Sequence, residues 1–83
     1  MRDVTIRDYI GSAKEITAAE LRKMPEGTKV IVHRFDRSGN HTTLLAWVWI
    51  GTGKFLRYED IDGTTSTMKI KKETDRMCYT EVK

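Results

Sequence analysis

The chain has 83 residues, with 15 Lys and Arg against 12 Asp and Glu, a net charge of +3, two histidines and one cysteine. A single domain spanning residues 1–83 follows, one that buries only about 60% of its unfolded surface and therefore has a thin core. The lone cysteine excludes an internal disulfide, and the longest apolar run, residues 44–50, falls far short of the ~20 residues a membrane span needs.

The first ten residues admit two forms. Thr5-Ile6-Arg7-Asp8 can cap a short helix with Ile6, Tyr9 and Ile10 turned inward and an end at Gly11. Val4, Ile6 and Asp8 also alternate as in a strand. The helix is the preferred form. With charges every few residues and no apolar stretch, this terminus is not a signal peptide. The expected setting is the cytoplasm.

Residues 16–24 carry a fuller helical signature. Thr17 is placed to accept the backbone N–H of Glu20, and Glu20 to accept that of Thr17, which is a capping box. Ile16 just before the cap and Leu21 at the fourth helical position form a hydrophobic staple. Pro25 disfavours a helical Met24 and ends the helix, predicted over about residues 17–24. So short a helix is unstable alone and must dock through Leu21 and Met24.

From Thr28 onward the pattern is that of strands. Five are predicted: 29–35, 42–50, 55–59, 65–72 and 77–82, separated by the turn clusters 36–40, 51–54, 60–63 and 73–76. The glycines at 51 and 53 are expected where the hairpin needs positive φ. The fold class is thus α+β, mostly β: a short N-terminal helix followed by five short antiparallel strands. These are expected to form a small SH3-like barrel, because closure buries edges and core together. An open, strongly bent sheet with the helix on one face is the second choice.

The strand at residues 42–50 is the most informative stretch. From Leu44 to Ile50 no position is polar, so both faces are either covered or offered to a partner. Trp47 and Trp49 share one face, about 7 Å apart. The helix is expected to pack Ile16, Leu21 and Met24 over the indoles, burying Trp49 and leaving Trp47 partly accessible. The candidate binding residues are Trp47, Trp49, Phe55, Arg57 and Tyr58, because interfaces enrich aromatic residues and arginine.

The remaining motifs are weak. Asp60-Ile61-Asp62-Gly63 opens like a calcium loop, but its twelfth position is Lys71 instead of glutamate. Gly51-Thr52-Gly53-Lys54 lacks phosphate-loop spacing and leads into a strand. His33 and His41 come near each other if their strands form a hairpin, but two histidines and one distant cysteine make no zinc pattern. Cys78 fits a small core residue. No catalytic constellation, metal site or cofactor is indicated.

The chain is therefore expected to be a non-catalytic protein-interaction module, a regulator, adaptor or inhibitor of a size that suits a bacteriophage or mobile-element protein. The alternative is a nucleic-acid-binding barrel in which the tryptophans stack bases while Lys54, Lys69, Lys71 and Lys72 hold phosphates. Charge disfavours it. Residues 1–41 hold eight basic and six acidic side chains and the rest seven and six, so neither half is a basic arm.

Overall fold

The computed structural model describes residues 4–82. Its elements are α1 (Arg7–Ile10), β1 (Glu15–Ile16), α2 (Ala18–Leu21), β2 (Lys29–Phe35), β3 (His41–Ile50), β4 (Lys54–Glu59), β5 (Thr65–Lys69) and β6 (Met77–Glu81). All six strands lie in one antiparallel sheet, in the order β1-β6-β2-β3-β4-β5. Strands β2 to β5 are the predicted meander of hairpins. The chain then crosses back along residues 70–76 and inserts β6 between β1 and β2.

Two expectations are corrected here. The sheet has six strands instead of five; the extra one, β1, has two residues and pairs Glu15 with Thr80 and Ile16 with Tyr79. Two residues are too few to show a period. The sheet also stays open, with β1 and β5 as its edges, so neither a barrel nor an SH3-like closure forms. Its core face is covered by α2 and the crossover, and edge pairing is not what closes it.

The capping box forms as the sequence dictates. Glu20 N donates to Thr17 Oγ1, and Thr17 N donates to Glu20 Oε1, each at 3.1 Å. Loss of such a cap costs about 1 kcal/mol. The α-helix is shorter than predicted because the chain tightens before Pro25. Lys23 N bonds Glu20 O and Met24 N bonds Leu21 O, both three residues back. At the N-terminus the helical form is the one adopted. Asp8 accepts from the Thr5 N–H at 2.8 Å, and Gly11 ends α1 at φ 61°, a backbone shape that side chains disfavour.

The core lies between the sheet and α2. Val30, Val32, Ala46, Val48, Leu56 and Tyr79 from the strands meet Ile16, Ala18 and Leu21, with Ile70 of the crossover completing the group. Hydrogen bonds pin the crossover. Tyr79 Oη donates to Lys71 O at 2.8 Å and accepts from Lys71 N at 3.0 Å. Arg22 donates to Ile70 O at 2.8 Å, and the Glu73 carboxylate accepts the Ala18 N–H at 3.0 Å. That last bond holds the Glu73 carboxyl below its ordinary range. No helix among the described residues is long and apolar enough to cross a membrane.

Candidate functional site

Strand register decides which side chains share a face. On β3, Leu44, Ala46 and Val48 point to the core, so Leu45, Trp47 and Trp49 point to the outer face. The expectation that α2 packs over the indoles is therefore overturned. Leu21 and Met24 belong to the opposite face with Val48, and both tryptophans are half-buried, neither shielded by the helix.

The N-terminal segment covers the other half of the outer face, over β6 and β2. Ile6 is fully buried and its N–H donates to Asp75 O at 2.7 Å. Arg7 grips both oxygens of Glu15 at 2.9 Å, and this bond raises the pKa of the guanidinium. Tyr9 sets its ring against Phe35 and His41, with centroids 5.4 and 5.1 Å away. Beneath this strap Cys78 is buried, and burial pushes its thiol up to about 11, so it stays protonated and unreactive at neutral pH.

His33 and His41 do meet. The pairing of Phe35 with His41 and of His33 with Thr43 places them diagonally across the β2–β3 hairpin. Nδ1 of His33 and Nε2 of His41 share a hydrogen bond of 2.9 Å, the rings stack, and His33 Nε2 bonds the Thr80 hydroxyl at 2.8 Å. Burial, and secondarily the nearby His41, hold His33 below the ordinary imidazole range. On acidification the unfolded chain takes up this proton first, at about pH 6.5, so stability is complete above that pH and falls as pH drops through it. Urea midpoints measured from about pH 7.5 down to about pH 5.5 should decline, and His33→Gln should flatten the decline. An equal slope in the variant would remove His33 as its source. No group of three metal-ligating side chains occurs among the described residues.

The exposed half of the outer face is built on β3, β4 and β5. Trp49 faces Phe55, which faces Lys69; Lys29 faces Trp47, which faces Arg57. Arg57 lays its guanidinium 3.9 Å from the centre of the Trp49 ring, and its buried Nε has no hydrogen-bond partner. A cation on an indole face contributes about 0.5–2 kcal/mol. Phe55 tilts against the same ring at 5.9 Å. Neither Gly51 nor Gly53 has the positive φ expected of it; a Cβ at Gly51 would collide with the Trp49 ring. Glycine lets the indole lie against the hairpin backbone. Leu45 is 51% exposed beside this group.

Of the predicted site residues, the structure thus brings together Trp47, Trp49, Phe55 and Arg57. Tyr58 lies on the core face, opposite Ala46, where it packs against the core. The four candidate phosphate-binding lysines are dispersed. Lys54 caps the end of α2, donating to Arg22 O and, at 3.0 Å, to Met24 O. Lys69 lies beside Phe55, Lys71 is in the crossover and Lys72 is exposed.

Sequence reasoning missed a groove on the opposite face. Where α2 does not reach, the core face opens into a groove of about 870 Å³, walled by Leu44, Tyr58, Met68 and Met77, with Arg34 and Lys71 among its cations. These side chains come from five strands and the crossover, so only the alternation of each strand hinted at the grouping. Comparison of the chain with family models, with curated proteins and with solved structures finds no match in any of the three.

Proposed function

We propose that this chain is a small non-catalytic protein-interaction module that engages a partner through the outer face of β3 and β4. The observation that carries this reading is the Arg57–Trp49 stack, set between Trp47, Phe55 and exposed Leu45. Arginine and tryptophan are the residue types that dominate interface hot spots, and here neighbouring side chains hold them in place before a partner arrives.

One observation favours nucleic acid instead: Lys29 and Lys69 flank the rings on the same face. Base stacking, however, needs a free ring face. In Trp49 one face is taken by Arg57 and the ring rests against Gly51. Edge and side-chain contacts, as a protein makes them, suit this arrangement better.

The test is capture from a nuclease-treated lysate by the wild-type chain and by Leu45→Glu and Arg57→Ala. A defined protein should be retained by the wild type. Arg57→Ala should weaken its binding by about 2 kcal/mol, roughly thirty-fold, with Leu45→Glu also impaired. Leu45 is half exposed, so its variant should keep the wild-type urea midpoint. Capture that vanishes with nuclease and weakens with salt at a log–log slope of about −0.9 per phosphate would transfer the face to nucleic acid.

A further inference from the structure

The groove on the core face is independent of the aromatic face. Its floor continues the core: Leu44, Tyr58, Met68 and Met77 pack against the buried cluster on one side yet remain half-exposed on the other. A volume of about 870 Å³ falls within the range of sites that enclose small ligands. Methionine is flexible and polarizable, so Met68 of β5 and Met77 of β6 adapt to an apolar body of varied shape.

Charge at the rim is arranged asymmetrically. Asp36 spends Oδ1 on the N–H groups of Ser38 and Asn40, both at 2.9 Å. Asp60 accepts the Ser66 hydroxyl. Both carboxylates are thereby engaged in their own turns. Arg34 and Lys71, by contrast, have no side-chain hydrogen bond or ion pair among the described residues. Arg76 is steadied against the Phe35 ring and by Asp36 O, and its backbone O accepts from Phe35 N at 3.0 Å. The pairing of Arg34 with Met77 sets the Arg34 guanidinium at one end of an apolar trough, while Arg76 turns to the Phe35 ring on the outer side. Lys71 rises from the crossover wall, its backbone fixed by Tyr79.

We propose that this groove binds a small amphipathic organic anion: an apolar chain or ring seated on Leu44, Tyr58, Met68 and Met77, with a carboxylate or similar head held by Arg34 and Lys71. Charge complementarity selects the anion, because the lining carries Arg34, Lys69, Lys71 and Arg76 against only Asp36 and Asp60, and the Arg34 guanidinium matches a carboxylate with two parallel hydrogen bonds. The inner end of the groove is stopped by the packed core, which suits a ligand that ends there.

Decanoate, kept below its micelle concentration, is the probe, and methionine methyl NMR is the readout. The Met68 and Met77 methyls should shift in a saturable way while that of Met24, beside α2, stays in place. Decyltrimethylammonium should bind at least about ten-fold more weakly, and Arg34→Glu and Lys71→Glu should each weaken decanoate about ten-fold. Both positions are exposed, so these variants should fold. Tryptophan fluorescence should not change, and Leu45→Glu should bind decanoate normally, which separates this site from the outer face. Absence of saturable shifts at Met68 and Met77, or equal affinity for the cationic amphiphile, would overturn the proposal. So would tighter binding of the peptide Glu-Glu-Leu-Glu-Glu at the same methyls, which would make a protein segment the occupant.

Discussion

Leu21→Ala is expected to lower stability by about 2–5 kcal/mol, a large part of what holds so small a domain together. Leu21 is fully buried and contributes the largest side chain that α2 places in the core. The helix has four residues, far too few to persist without tertiary contacts. Truncation therefore removes both the apolar surface and the reason for the helix to be there. It also frees the neighbours that depend on α2: the Arg22 bond to Ile70, the Ala18 bond to Glu73 and the Lys54 contact with the helix end. Urea denaturation followed by far-ultraviolet circular dichroism measures the effect. A cost below about 1 kcal/mol would mean that the sheet and crossover suffice without the helix, and that α2 is an ornament on an already closed core.

Tyr79→Phe is the second large effect, about 1–3 kcal/mol for the loss of a single oxygen. The side chain is fully buried, and burial raises the pKa of its hydroxyl. Its hydroxyl serves both backbone groups of Lys71, donating to one and accepting from the other. Phenylalanine keeps the ring and its packing, so the change isolates the two hydrogen bonds. Both orphaned groups belong to the crossover, and hydrogen exchange at residues 70–73 should accelerate more than in the β2–β3 hairpin. A midpoint and exchange pattern matching wild type would show that Ile70 and Glu73 hold the crossover unaided.

Local features were legible in the sequence and distant ones were not. The capping box at Thr17 and Glu20 and the strand positions of β2 to β4 depend on residues a few places apart and formed within a residue of their expected limits, whereas α2 ends at Leu21 and β5 at Lys69, each three residues early. The outer aromatic group was also readable, because Trp47, Trp49, Phe55 and Arg57 follow from alternation once β3 and β4 are a hairpin. Tyr58 was misplaced against that same rule: next to Arg57 in sequence, it must point the other way. Which of the two apolar faces of β3 receives α2 is a tertiary choice that no periodicity records. The pairing of β6 with β1 and β2 is likewise non-local, and with it the open sheet, the crossover and the groove beneath it.

The interior place of β6 also orders events during synthesis. The ribosome makes this strand after all the others, yet β1 has only β6 to pair with, and β2 needs β6 along its second edge. The hairpins β2–β3, β3–β4 and β4–β5 can form as they emerge, since each joins neighbours in the chain. The segment that carries α1 and β1 cannot. Ile6 bonds Asp75, Arg7 reaches Thr74 and Ala18 bonds Glu73, so these residues have partners made more than fifty positions later. Until residues 73–81 leave the exit tunnel, α1 and β1 remain unpaired and their apolar side chains stay open to chaperones, while α2 can already meet β2 to β4 through Leu21.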